Sequence, residues 1–219
     1  MPKLNRWNGI VLALLIALAT PGAVAQEVAA VESPEATSSP SATIEVFHTG
    51  LLEIMKQAKT LGFQGRIDAL TPLMAETFDL DFMASKTVGR HWNKLSNEEK
   101  QRWAQTFTQF TVANYAGRFT GFTGEEFVTL GVEEAARNTR VVLTKIAIPS
   151  EEDVQLNYRL IEEGGQWKVI DVYLNGTVSE LALRRSEYSS ALKREGFDQL
   201  VASVETKIQD LKTKGLSEG

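Results

Sequence analysis

The apolar positions of this chain recur with a helical period up to about residue 120 and with a period of two after it. Ile44, Phe47, Leu51, Ile54, Met55, Ala58 and Leu61 form one stripe ending at Gly62, and Ile67, Leu70, Leu73, Met74 and Phe78 form a second. Phe82, Met83 and Val88 carry the pattern through a short helix that stops near Gly89. Ser96 with Glu99 three residues later has the form of a capping box, so a long helix starts near residue 97. Along it Trp103, Phe107, Phe110 and Asn114 follow at spacings of four, three and four, and Tyr115, Arg118 and Phe119 continue that side before the helix ends around Gly121 to Gly124. Residues 127–132, 139–148, 154–162 and 166–174 then alternate as strands. Gly164-Gly165 is a two-residue hairpin signal, since glycine takes the positive φ of tight turns at little cost, so the last two strands pair antiparallel. Two helices, about 178–194 and 197–212, close the chain. Helices followed by antiparallel strands predict an α+β domain with helices packed on one face of a curved four-stranded sheet.

The ends of the chain read differently. Lys3 and Arg6, the apolar run from Ile10 to Ala19 and the small residues Ala23-Val24-Ala25 have the three-part form of a cleaved export signal over residues 1–25. The apolar run is ten residues, against the ~20 a membrane-spanning helix needs. Residues 26–42, rich in Ser, Pro, Ala, Glu and Thr, read as a disordered linker. Residues 43–214 make one domain and 215–219 a flexible C-terminus. With no cysteine, the exported chain has no disulfide and no lipoprotein attachment point, so a soluble protein is expected. Taking Lys3 and Arg6 from the 23 basic residues leaves 21 against 28 acidic ones, a net charge of −7, which disfavours nucleic acid as a partner.

Two blocks of sequence carry a resemblance. In the first, Phe82, Gly89-Arg90, Trp92, Phe107, Tyr115 and Ala116 stand within the run from Phe78 to Phe119. In the second, Gln166-Trp167-Lys168-Val169-Ile170-Asp171-Val172 precedes Asn175-Gly176-Thr177-Val178-Ser179. Together they resemble the MlaC or toluene-tolerance family of periplasmic lipid-transfer proteins, over most of residues 44–212. The resemblance implies an NTF2-like or cystatin-like cone in which lipid lodges between helices and sheet. It also implies no catalysis and no cofactor, with an outer-membrane lipid donor and an inner-membrane ABC-transporter complex as partners. The family pattern departs at Thr177, inserted between Gly176 and Val178, at Glu180 in place of an apolar residue, and at Leu183-Arg184-Arg185 before Tyr188. That stretch is more similar to the hopanoid-associated HpnM branch, which leaves the cargo open between phospholipid and hopanoid.

A lipid cavity is lined by apolar and aromatic side chains with a few polar groups at its mouth. The expected lining is Phe82, Trp103, Phe107, Phe110, Tyr115 and Phe119 from the helices, with Val142, Leu156, Tyr158 and Val172 from the strands. Leu181 and Arg185 complete it from the helix after them. Arg185 lies seven residues after Val178 and three before Tyr188, which places it near the apolar side of its helix. Its two readings are an ion pair with a partly buried carboxylate such as Asp171 and recognition of a headgroup or hydroxyl at the mouth. The competing enzyme reading casts Asp171 and Tyr158 as the acid and tyrosine of an isomerase or dehydratase cavity. His48 and His91 are far apart in sequence, and no metal-ligand cluster, nucleophile elbow or phosphate-cradling loop is recognisable.

Overall fold

The computed structural model describes residues 39–149 and 151–217. The expected export signal and nearly all of the expected linker lie outside the described residues. The last residues of that linker are helical instead: Ser39 caps α1 (Pro40–Lys56) by accepting a hydrogen bond from the Ala42 amide at 3.1 Å, and Pro40 occupies the first turn. Proline is preset for that position and has no N–H to leave unpaired, so a Ser-Pro pair ends the linker sooner than its composition suggests. At the other end α6 runs through Ser217, past the expected start of a flexible tail.

The helical half follows the periodicity closely. α2 (Ala58–Thr77) begins one residue after α1 and breaks at Gly62, whose φ of 60° and ψ of −175° only glycine adopts readily. Arg66, buried in α2, stitches this break to the rest of the core. Its Nε donates to the Ala116 carbonyl at 2.9 Å and its Nη1 to the Ala58 carbonyl at 3.0 Å. α3 (Leu80–Thr87) is capped by Asp79 and followed by a 3-10 segment, Gly89–Lys94. α4 (Asn97–Arg118) opens with the full reciprocal capping box between Ser96 and Glu99.

The sheet has five antiparallel strands in sequential order: β1 (Glu126–Ala135), β2 (Thr139–Ala147), β3 (Val154–Glu163), β4 (Gln166–Leu174) and β5 (Val178–Ser179). Gly164 and Gly165 form the β3–β4 turn with φ of 59° and 78°. The four expected strands are present, and the fifth escaped the sequence because two residues are too few to show alternation. β5 pairs Tyr173 with Ser179 and Leu174 with Val178, so α5 (Glu180–Glu195) starts two residues later than expected. α6 (Phe197–Ser217) returns along α4.

α1 lies across the sheet against β1, β2 and β4, while α4 packs chiefly on α6, α2 and α3. The register puts Val142 opposite Tyr158 and Tyr158 opposite Val172, so these three share the inner face toward α1. Thr139, Ile161, Arg159 and Asp171, paired in the same ladders but offset in phase, share the outer face. The register shift between Arg159 and Leu160 leaves Ile170 as an extra residue in β4 and bends the strand there.

Candidate functional site

The inner face is a continuous aromatic core. The Phe47 ring meets Phe78 edge-on at 4.9 Å, Tyr115 at 5.8 Å and Tyr158 at 6.0 Å, and Tyr115 stacks on Phe119 at 5.7 Å. Such edge and offset contacts add to the burial of the rings themselves. Within this apolar layer His48 Nε2 lies 3.1 Å from the Tyr158 hydroxyl, so each supplies the other's polar partner. Burial lowers the His48 pKa to about 4 and pushes the Tyr158 phenol well above its usual range. The imidazole is therefore neutral at neutral pH.

Trp103, fully buried, belongs to this packing as well. Its indole N–H donates to the Ala84 carbonyl at 3.0 Å and the Thr87 hydroxyl at 3.3 Å, and its ring meets Tyr188 edge-on at 5.2 Å. It thus joins α3, α4 and α5. Val142, Leu156 and Tyr158 are likewise buried core, and Phe119 packs at its margin against Tyr115 and Phe127.

A narrow seam separates α4 from the first turns of α5. Phe107, Phe110 and Tyr115 form one wall, and Val172 and Leu181 the other. Its free volume is about 20 Å³, so it is closed. Arg184 covers it, with its guanidinium 4.8 Å from the centre of the Phe110 ring and held by Glu180 at 3.5 Å and Glu187 at 3.4 Å.

The outer face carries a pocket of about 470 Å³ next to the seam, with Leu181 shared between the two. Phe82, Ile161, Ile170 and Leu181 give it an apolar floor, while Lys86, Arg137, Arg159 and Arg185 surround it. Asp171 is the one carboxylate in its lining. It accepts from the Val172 amide at 2.8 Å, the Leu181 amide at 3.0 Å and the Ser179 hydroxyl at 2.6 Å. Burial nevertheless raises the Asp171 pKa, with these hydrogen bonds and Arg159 acting against the rise. A second depression, about 550 Å³ and lined by Gly89, Arg90, Ser189 and Lys193 among others, adjoins this pocket at Ala182 and Arg185.

The structure thus divides the expected site. Phe107, Phe110, Tyr115, Val172 and Leu181 come together at the seam, and Phe82, Leu181 and Arg185 at the outer pocket. Trp103, Val142, Leu156, Tyr158 and Phe119 face neither. The expected ion pair between Arg185 and Asp171 does not form: Asp171 is engaged by β4, β5 and the first turn of α5, and Arg185 is exposed. Arg184 is the arginine on the apolar side. The phase differs from that of the sequence pattern because Val178 belongs to β5 and not to the helix, whereas Leu181, Arg184 and Tyr188, at spacings of three and four, give the helix its inward side. Lys86, Arg137 and Arg159 carry no shared sequence signal, because they come from three separate elements that only the fold brings together. Tyr158 and Asp171 lie on opposite faces of the sheet, so the dyad of the enzyme reading has no common cavity.

A family model described as "MlaC protein" matches residues 45–206. The intermembrane phospholipid transport system binding protein MlaC of Haemophilus influenzae is 21% identical over 131 residues, which cover 58% of this chain and 61% of that protein. The chain thus spans less than two thirds of that relative. The phospholipid-binding protein from Ralstonia solanacearum, solved in complex with a phospholipid, shares the fold with a TM-score of 0.71 at 20% identity, over 80% of this chain and 99% of that one. The family model covers most of the domain, both sequence blocks and every element that builds the seam and the pocket, and on that ground the chain belongs to the MlaC family.

Proposed function

We propose that this protein is a soluble, periplasmic lipid-binding carrier that moves a phospholipid or hopanoid-type lipid between the outer and inner membranes, as the substrate-binding component of an ABC-type system. The observation that carries this reading is the pairing of an apolar-floored pocket of about 470 Å³ with a closed aromatic seam behind Leu181. The pocket falls within the range of about 300–1,000 Å³ common for small-molecule sites. Covering ~400 Å² of apolar lipid surface contributes roughly 10 kcal/mol before ordering costs, enough to hold a lipid out of water. Membership of the MlaC family, a relative named for intermembrane phospholipid transport and a fold neighbour solved with a phospholipid support the same reading.

Mass spectrometry of gently purified protein tests it. Copurifying lipid at close to one molecule per chain is the expected result, and its identity separates phospholipid from hopanoid. Protein that stays lipid-free after incubation with vesicles and turns over a small ketone or steroid returns the enzyme reading.

A further inference from the structure

Four cations surround the outer pocket against one acid, in a chain whose acids outnumber its bases. Among the described residues, Lys86, Arg137, Arg159 and Arg185 form no ion pair, and what sets them apart is that they gather around one pocket. Asp171 offsets part of this charge, since it lies near Arg159, but its oxygens already accept three hydrogen bonds. Arg159 is aimed: its Nε donates to the Thr139 hydroxyl and its Nη2 to the Ala136 carbonyl, both at 2.9 Å. A guanidinium has five N–H donors, so three remain for another acceptor. The Lys86 amine sits 4.5 Å over the Phe82 ring, at the border between the apolar floor and the charged rim. Arg137 stands at the β1–β2 turn with φ of 63°, and the Arg185 Nε lies within 3.1 Å of where a Cβ on Gly89 would stand. Gly89 lines the neighbouring depression, and its absent side chain is what leaves the Arg185 guanidinium room between that depression and the pocket.

Four like charges gathered around one counterion still repel one another, and an anion that joins them recovers that energy while filling unused donors. We propose that this pocket selects cargo with a net-negative headgroup: the cations hold the headgroup, and the hydrocarbon lies on Phe82, Ile161 and Ile170 and runs past Leu181 toward the seam. This assignment rests on the carrier reading and narrows it to acidic phospholipids, since a neutral polycyclic lipid or a zwitterionic one draws less from an excess of cations.

Delipidated full-length protein incubated with vesicles of equimolar phosphatidylglycerol and phosphatidylcholine, then repurified and analysed by lipid mass spectrometry, tests the assignment. About fivefold enrichment of phosphatidylglycerol is expected, the factor that one half-exposed ion pair supplies. It should shrink as salt is raised. Arg137 and Arg185 are exposed and anchor nothing, so the Arg137→Gln, Arg185→Gln double variant should bring the ratio toward one with an unchanged melting temperature, and Arg185→Lys should keep most of it. Equal uptake of the two lipids by wild-type protein overturns the assignment while leaving the carrier reading intact. An enrichment unmoved by the double variant, or preferential uptake of a neutral hopanoid, overturns it too. Stabilisation by inorganic phosphate as strong as that by phosphatidylglycerol, without lipid preference, marks a free-anion site and also overturns it. Loading from neither vesicle type overturns the carrier reading itself.

Discussion

On the inner face of the sheet, aromatic rings meet one another and leave almost no space; on the outer face, one ring and a few aliphatic side chains floor an open pocket rimmed by cations. Abundant aromatic residues therefore mark where this domain is held together, and the volume lies where they thin out. Trp103 shows why: its N–H finds two acceptors and its ring finds Tyr188, so every part of it is engaged in joining helices. Phe82, by contrast, is partly exposed, with a lysine rather than another ring over its face.

Substitutions divided between the two faces should break stability on one and cargo binding on the other. The largest effect is expected for Trp103→Ala, which removes a fully buried ring and two hydrogen bonds and should cost about 3–5 kcal/mol in urea unfolding. The buried His48 comes next. In the unfolded chain the ring takes up a proton near pH 6.5, in the folded chain only near pH 4, so across that window the unfolded state holds the extra proton. Stability should fall by roughly 3 kcal/mol as pH drops from 6.5 to 4, beyond what His48→Gln loses over the same range. If variant and wild type lose stability in parallel, His48 is not the group responsible.

Smaller effects sharpen the boundary between the faces. Arg184→Met keeps much of the apolar cover on the seam but removes the cation over Phe110 and the contacts to Glu180 and Glu187. About 1 kcal/mol of stability should go, read from the melting temperature. The least effect on folding, under about 1 kcal/mol, is expected for Phe82→Ala, because the ring is already partly exposed. The same variant should lower lipid loading several-fold by mass spectrometry, and a Phe82 variant that loads normally would move the pocket's apolar floor elsewhere.

The same division shows what could be read from the residues alone. Periodicity, the Ser96–Glu99 box and the Gly164-Gly165 turn are local signals, and the elements they predict are in place. Which side of α4 borders space was not legible, because a ring that lines a cavity and one that fills a core have the same spacing. The phase of α5 depended on whether Val178 belongs to a strand, and pairing with Leu174 decides that from outside the segment. The rim of the outer pocket was furthest from view, Arg185 apart: Lys86, Arg137, Arg159 and Arg185 sit on a helix, a turn, a strand and another helix, about 100 residues from first to last.

Asp171 gives this arrangement a mechanical asymmetry. A side chain of the sheet holds the amide of Leu181 and the hydroxyl of Ser179, so the root of α5 is fastened to β4, whereas its far end turns into α6 at Gly196, where φ is 84°. The seam and the outer pocket meet at Leu181, so this clasp acts as a rivet between them: the residue that separates the two spaces is held in place through its own backbone.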